Sequence, residues 1–394
     1  MNKKVDTAIT GNREIYFISK SANWQLYRRD ILRKLGSEFG AHVQVLTTGQ
    51  LKDYIIPDDQ IEYKIHVNWF PQTWKISFFP GAILQIIKNR PAAVLCLNNT
   101  TQITEYVSLV ICKLLRIRFV WWTHAYDHGF PHRNRILKSV KEIYTLIFLR
   151  MGDAVVAFSK RGYKYLLDKN LDKQKLFYAP NTLDTDTLTK QFESISSSRS
   201  KSEVLKELGF KSNDSILLYS GRLNRDKKVE NLLEIFPKVL KSKSNTYLVI
   251  IGCGEEYEKL LRLTEHRKIK NILFTGDIFD SETLTKWFYA SNLFVMPGFV
   301  GLAIVHAFCF GLPIITERAK NHGPEIQYLA HGSNGYFVDE DDSDDFADKI
   351  IRLLSNDSQR NDFSDNARKT VLNEANVNKL ISSLAMALGL NSNT

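Results

Sequence analysis

Short apolar runs, each closed by a glycine or polar turn, recur along the chain and alternate with longer segments of helical spacing. In the first half the runs predict strands at 14–18, 43–46, 93–97, 119–122 and 154–158. The segments between them predict helices over 21–36, 101–116 and 135–150. The second half repeats the alternation, with strands at 216–219, 247–251, 293–296, 313–316 and 336–338. Strand and helix in alternation make a parallel sheet covered by helices, so the predicted fold class is α/β and doubly wound. A chain of 394 residues is too long for one typical core, which argues for two such domains with a ligand cleft between their strand ends. The serine-rich stretch 194–202 reads as a flexible linker or as a surface loop. No internal repeat is evident.

Candidate chemistry sits where strands end. Residues 297–316, PGFVGLAIVHAFCFGLPIIT, leave a strand, pass through a turn holding Gly298 and Gly301, and enter a short helix that carries His306. A glycine turn leading into a helix N-terminus offers unpaired N–H groups to an anion, although a tight packing turn would show the same residues. About eighty residues earlier, SILLYSGRLNRDKKVENLLEIF (215–236) ends a strand at Ser220–Gly221 and then presents Arg222, Arg225, Lys227 and Lys228 before another helix. Cations at the carboxyl end of a parallel strand lie where open α/β sheets bind ligands, and an arginine fork with a lysine point charge suits a diphosphate. In isolation such a cluster is as readily a solvated turn.

Composition narrows the class. Hydrophobic content of 44% and charged content of 24% are values of an ordinary globular enzyme. Cys96, Cys112, Cys253 and Cys309 lie in apolar contexts without metal-ligand spacing and read as buried thiols of a reducing compartment. Residues 1–12 lack a signal-peptide apolar stretch, and no run approaches the roughly 20 apolar residues of a membrane span, so the expected location is cytoplasmic. Charge is uneven: residues 1–180 hold 27 Lys and Arg against 14 Asp and Glu, and residues 181–394 hold 26 against 29. An anionic partner is expected for the first half. No nucleic-acid recognition motif accompanies the charge, so anionic lipid headgroups or a lipid diphosphate bearing an acceptor sugar fit better than nucleic acid. Residues 113–122 and 132–152 mix basic with large apolar side chains. In the second of these, Ile136, Val140, Ile143, Tyr144 and Ile147 form a helical stripe, for which packing on the core is the default.

The ordered set of short motifs in the second half resembles the donor-binding half of family 4 glycosyltransferases, which have the GT-B architecture. The family's Gly-Arg-Leu followed by Lys corresponds to Gly221, Arg222, Leu223 and Lys227. Its Gly-x-Gly after a strand corresponds to Gly252 and Gly254, and its Phe-x-Gly strand end to Phe274, Thr275 and Gly276. The run Gly301-Leu302, Ala307, Gly311-Leu312-Pro313 follows in register, and then HGPEI (322–326) and NGYFV (334–338). The resemblance covers residues 180–345 well and the first half only at scattered points. It departs from the family at one pair of positions. The usual two glutamates, which touch donor sugar and ribose, fall on Gly298 and His306. An imidazole can still donate to and accept from ribose hydroxyls, whereas Gly298 offers only backbone.

The resemblance implies two Rossmann-like domains, 1–180 for the acceptor and 203–375 for the donor, joined by 181–202, with a helix near 376–390 packing back on the first. It implies a retaining glycosyltransferase of cell-envelope glycan assembly that needs no metal ion or other cofactor. The donor is a nucleoside-diphosphate sugar with the base, UDP or GDP, undecided, and the acceptor is lipid-linked or a glycan. Arg222 and Lys227, with side chains exposed in the empty cleft, would stabilise the leaving diphosphate, and His124, in VWWTHAYDHG (120–129), would stand beside the donor sugar. Donor contacts would come from Gly221, Gly252, Gly254, Thr275, Gly276, Gly298, Val300, Gly301, Leu302, His306 and Glu325. Acceptor-side candidates are Ser21, Asn23, Asn99, Asp127, His128 and Asn181, several of which read equally well as helix caps or packing residues. Asp127 and His128 with His124 do not make a metal triad. The expected seat of the enzyme is the inner face of the membrane, held peripherally. Two other classes remain open from sequence: a nicotinamide enzyme, weakened because Tyr257 stands where that fingerprint needs its third glycine, and a catalytically inactive GT-B subunit.

Overall fold

The computed structural model describes residues 13–20, 28–48, 61–70, 76–99, 101–125 and 135–390, and the chain divides into two compact units. Unit 1 holds residues 1–183 with 377–394, and unit 2 holds 184–376.

Unit 1 runs β1 (Glu14–Ser19), α1 (Arg29–Phe39), β2 (His42–Thr48), β3 (Ile61–His66), α2 (Pro80–Asn89), β4 (Ala93–Leu97), α3 (Ile103–Leu115), β5 (Arg118–Thr123), α4 (Arg135–Met151), β6 (Ala154–Ala157), α5 (Lys160–Asp168) and β7 (Leu176–Tyr178). Its seven strands lie in the order β3-β2-β1-β4-β5-β6-β7, all parallel. Continuous apolar runs such as Phe119–Trp122 are fully buried, as strands covered on both faces must be. One face carries α1, and the opposite face carries α2, α3, α4 and α5 over a second core around Tyr106, Phe119 and Trp121. Strands β3 and β7 and helices α2 and α5 were not read from sequence. Strand β3 is an edge strand with only one buried position among its six, so it lacks the apolar run that marks the interior strands.

Unit 2 runs α6 (Thr185–Ser198), α7 (Lys201–Glu207), β8 (Ser215–Ser220), α8 (Val229–Ser242), β9 (Thr246–Ile251), α9 (Tyr257–His266), β10 (Ile272–Gly276), α10 (Ser281–Ala290), β11 (Leu293–Val295), α11 (Ala303–Cys309), β12 (Ile314–Glu317), β13 (Gly335–Val338), α12 (Ser343–Ser355) and α13 (Asp357–Asn373). Its six strands lie in the order β10-β9-β8-β11-β12-β13 and are again parallel. The serine-rich stretch 194–202 is neither linker nor loop. Asp184 caps α6 through its carboxylate, and Ser200 with Glu203 forms a capping box that starts α7, so the serines serve as helix-end donors and acceptors.

The chain then returns to unit 1 as α14 (Val377–Leu388), which buries Val377, Leu380, Ile381, Leu384 and Leu388 against the α1 side of the sheet. Each such side chain contributes roughly 1.5–3 kcal/mol of hydrophobic burial. Arg118 Nε donates to the Ala387 carbonyl at 2.7 Å and fixes the end of that helix on β5. Four positions of the stripe read from sequence on α4 face outward, and the side chain of Ile136 lies outside the described residues. Leu146 and Leu149 take the core side, while Val140, Ile143, Tyr144 and Ile147 are exposed. Helix α3 meets α4 through Tyr106, whose ring packs on Phe148 and on the edge of the exposed stripe at Tyr144.

Candidate functional site

In unit 2 the strand order reverses between β8 and β11, and the loops that follow these two strands meet at their carboxyl ends. The Gly298 N–H donates to the Lys227 carbonyl at 3.0 Å, and the Phe299 N–H to the Asp226 carbonyl at 2.8 Å. Lys227 Nζ donates to the Phe299 carbonyl at 2.8 Å and lies 4.3 Å from the centre of the Phe299 ring. This close approach explains the glycine. A Cβ on Gly298 would stand 2.2 Å from the Asp226 carbonyl oxygen and 2.5 Å from the Lys227 carbonyl carbon, so no glutamate fits while the two loops touch. Lys227 is half-buried, not exposed as its sequence context suggests. Burial pulls its ammonium below the ordinary lysine range against the fields of Asp226 and Glu325.

The neighbouring strand ends are laced together by backbone. Gly221 N–H donates to the Ile251 carbonyl at 3.0 Å, Gly252 N–H to the Gly276 carbonyl at 2.8 Å, and Leu223 N–H to the Cys253 carbonyl at 3.0 Å. Gly252 has φ +129, and a Cβ there would lie 2.1 Å from the Gly221 oxygen. At Gly254 a Cβ would lie 2.6 Å from the Leu223 oxygen. These glycines are therefore required to bring three loops together, whatever else they touch. Thr275 turns its hydroxyl back to the Gly276 carbonyl at 2.9 Å, and Cys253 N–H donates to Asp277 Oδ1 at 2.9 Å.

The four cations of 222–228 separate into different roles. Arg222 is exposed and, among the described residues, has no ion-pair partner, while its carbonyl accepts from the Tyr219 hydroxyl at 2.8 Å. Arg225 is 86% exposed and lies 3.5 Å from Glu256. Lys228 is committed elsewhere, with Nζ 2.8 Å from Glu317 Oε2 and 3.1 Å from Asp341 Oδ1. Burial opposes its charge, but the hydrogen bonds to Glu317 and Asp341 prevail and hold its pKa above the ordinary lysine value. Arg222 and Lys227 remain as the cations available to a ligand at the strand reversal.

Sequence reasoning passed over the residue that holds the second loop. His322 Nδ1 accepts the Val300 N–H at 3.0 Å, and its Nε2–H donates to the Glu317 carbonyl at 2.8 Å, which fixes the tautomer. The Val300 carbonyl in turn accepts the Gly323 N–H at 2.8 Å. The Val300 amide is thus occupied by the protein. Among the described residues, the next three amides, Gly301, Leu302 and Ala303, donate to no protein acceptor. His322 opens the HGPEI run, and a histidine at the start of a Gly-Pro turn was the available signal. Glu325, on the 3-10 turn Pro324–Tyr328, is buried, and Gly323 gives its carboxylate room, since a Cβ there would be 2.3 Å from Oε2.

His306 occupies a packing position. Its ring lies face to face on Phe288 with centroids 3.8 Å apart and 7° between planes, and it meets Phe310 at 5.6 Å. Burial pushes the imidazole pKa down to about 3, so the ring is neutral, although the residue keeps some surface exposure.

The corresponding strand ends of unit 1 carry the other candidates. His124, after β5, is exposed, with its ring 4.4 Å from that of Phe158. Asn99, after β4, is a local organiser: its side-chain oxygen accepts from the Thr101 N–H at 3.1 Å and hydroxyl at 2.8 Å, and its own N–H donates to the buried Glu105 at 3.1 Å. Asn181 is buried and accepts from Arg28, whose guanidinium lies 4.2 Å over Trp122. Ser21, Asn23, Asp127 and His128 lie outside the described residues. No group of three or more His, Cys, Asp or Glu side chains able to hold a metal occurs among the described residues.

Residues 200–370 match the family model of Glycosyl transferases group 1. The chain is 26% identical over 248 residues to an uncharacterized glycosyltransferase of Methanocaldococcus jannaschii, which covers 61% of this chain and 59% of that one. It is 24% identical to the N-acetyl-alpha-D-glucosaminyl L-malate synthase of Bacillus anthracis over 47% of this chain and 48% of that one. The capsular polysaccharide biosynthesis glycosyltransferase CapM of Staphylococcus aureus is 25% identical over 59% of this chain and 66% of that one. The chain spans about half the length of the curated relatives it matches. Among solved structures, a glycosyltransferase from Rickettsia africae superposes with a TM-score of 0.74 at 17% identity, over 98% of this chain and 100% of that one. HepE of Anabaena in complex with UDP and glucose superposes with a TM-score of 0.71 at 15% identity, over 95% and 99%. With its parallel sheets of seven and six strands, the molecule has the GT-B fold.

Proposed function

We propose that this chain is a retaining glycosyltransferase that moves a sugar from a nucleoside diphosphate to an acceptor hydroxyl in cell-envelope glycan assembly. The observation that carries the proposal is the pair Arg222 and Lys227 at the strand reversal of a domain matching glycosyl transferases group 1, beside three amides without protein acceptors. As the glycosidic bond breaks, the diphosphate gains negative charge and the sugar becomes oxocarbenium-like. Arg222 and Lys227 stabilise the departing charge, and the amides of Gly301 and Leu302 add fixed dipoles. Lys227 is already partly desolvated, so its charge acts at short range without reorganising much water. Glu325, whose field reaches Lys227, is the residue we assign to orienting that ammonium. His124 is the unit 1 residue we assign to the sugar side.

HepE was solved with UDP and with UDP-glucose, and UDP is the nucleotide to test first. The capsule enzyme CapM and the wall-polymer enzyme poly(glycerol-phosphate) alpha-glucosyltransferase of Bacillus subtilis support an envelope glycan as acceptor. Among the described residues no helix is long and apolar enough to cross a membrane, and a lipid-linked acceptor would be met at the membrane surface from the cytoplasmic side. A second reading, a donor-binding subunit without turnover, draws on Gly298 and His306, which leave no carboxylate at the two positions where the family resemblance leads one to expect it. Slow hydrolysis of nucleotide-sugars without acceptor separates the two. Release of UDP by wild type and not by Arg222→Ala supports the enzyme, and nucleotide binding without any release supports the subunit.

A further inference from the structure

One peptide group in the loop after β11 is held from both ends. Its carbonyl, that of Phe299, accepts from Lys227 Nζ at 2.8 Å, and its N–H, that of Val300, donates to His322 Nδ1 at 3.0 Å. A peptide is planar and this one is trans, so its N–H and C=O point in opposite directions. Fixing the direction of the Val300 N–H therefore fixes the direction of the Phe299 carbonyl. If the plane turned over, the carbonyl would leave Lys227. The two bonds also polarise the group in the same sense, so each strengthens the other.

His322 can hold that N–H in one form only. Its Nδ1 must carry a lone pair, because its Nε2–H is spent on the Glu317 carbonyl at 2.8 Å. Burial lowers the pKa of the ring and favours this neutral form, and the charge of Lys227 acts in the same direction, against Glu340 and Glu317. Glu317 is itself anchored. Its N–H donates to the Pro297 carbonyl at 3.1 Å, and its carboxylate accepts from Lys228 Nζ and Asn231 Nδ2, each at 2.8 Å. These contacts close a ring: Lys227 to the 299–300 peptide, the peptide to His322, His322 to Glu317, and Glu317 to Lys228, which adjoins Lys227 in the chain. Lys228 has φ +49, a left-handed conformation that a lysine rarely adopts. At this turn the two neighbouring ammoniums go to different partners, Lys228 to carboxylates and Lys227 to a carbonyl. A carbonyl orients an ammonium without cancelling its charge, so Lys227 keeps that charge for an anion at the strand reversal.

We propose that His322 is a positioning residue for Lys227, acting through the 299–300 peptide to hold the ammonium where the donor diphosphate binds. The inference rests on the proposed transferase for the diphosphate, whereas the hold on the peptide is read without ligand. The test is calorimetric titration of UDP-glucose at neutral pH into wild type, His322→Ala and His322→Asn. Asparagine places Oδ1 where histidine has Nδ1, so it keeps an acceptor for the Val300 N–H while losing the rest of the ring. His322→Ala weakens binding by about tenfold or more, and His322→Asn returns it to within about threefold of wild type. In a Lys227→Ala background the same alanine substitution costs less than about twofold, because the residue it acts through is already gone. A merely structural role would make the two losses additive. Hydrogen exchange of the Val300 amide in the protein without ligand is slow in wild type and in His322→Asn, and at least about tenfold faster in His322→Ala. Equal UDP-glucose affinity of wild type and His322→Ala overturns the inference. So does an asparagine variant that folds but binds no better than alanine, or an undiminished loss in the Lys227→Ala background. Fast exchange of Val300 in wild type also overturns it. Slow exchange of Val300 with no UDP-glucose bound by wild type would contradict the proposed transferase and leave the hold on the peptide standing.

Discussion

The two units share one topology, with the strand order reversing beside the first strand of each sheet, but they use that crevice differently. In unit 2 the reversal between β8 and β11 is closed by backbone: glycine loops lie against one another, His322 clasps the second loop, and Arg222 and Lys227 stand at the junction. In unit 1 the reversal falls between β1 and β4, and the described loop after β4 is organised by side chains, with Asn99 tied to Thr101 and to the buried Glu105. Bulk charge points the opposite way. The first 180 residues hold the cationic excess, and the remaining 214 hold 26 Lys and Arg against 29 Asp and Glu. An anion site therefore depends on where two cations are held, not on the charge of the domain that holds them.

Breaking the contrast at its strongest point means removing the held cations. Arg222→Ala and Lys227→Ala are each expected to lower turnover by about 10²–10³, as loss of an electrostatic transition-state donor does. The same substitution at Lys228 acts on stability first, because its ammonium is bound to Glu317. Steady-state rates beside thermal melts separate the two kinds of lysine.

Gly252→Ala tests the backbone lacing. Its φ of +129 disfavours any Cβ, and that Cβ would meet the Gly221 oxygen at 2.1 Å. A loss of about 3 kcal/mol in unit 2 stability is expected from strain and overpacking, read by denaturant unfolding. The crevice of unit 1 responds less to the same kind of change. There Asn99→Ala removes exposed turn hydrogen bonds to Thr101 and costs about 0.5–1.5 kcal/mol.

Much of this contrast was legible before the structure. Buried parallel strands announce themselves as unbroken apolar runs, so Ala93–Leu97 and Thr246–Ile251 were readable, whereas the edge strand Ile61–His66 with its charged positions was not. The glycine and cation segments 215–236 and 297–316 pointed to the same crevice from sequence because strand ends and helix starts carry a local signature. What sequence does not encode locally is which of several similar cations is neutralised from afar. Lys228 meets Glu317 and Asp341 across 89 and 113 residues, and only the fold shows that it is committed. The same limit applies to the α4 stripe, whose period identifies a face without saying whether the sheet or the solvent receives it.

At neutral pH the smallest expected effect concerns His306. Its neutral ring has a folded pKa of about 3, against 6.5 for an unperturbed histidine. Between those values the unfolded chain binds the extra proton, so stability is intact above pH 6.5 and is lost as pH falls toward 3. His306→Phe keeps the stack on Phe288 and is expected to flatten that part of the melting profile. If the ring instead meets ribose, the variant raises the KM for donor more than it lowers kcat.

The central claim is that the crevice between β8 and β11 holds a diphosphate through Arg222 and Lys227. Calorimetric titration of UDP and of uridine into wild type and into the double variant Arg222→Ala, Lys227→Ala tests it most directly. The account predicts that wild type binds UDP far more tightly than uridine and that the double variant no longer distinguishes them. A double variant that binds UDP as wild type does would contradict it.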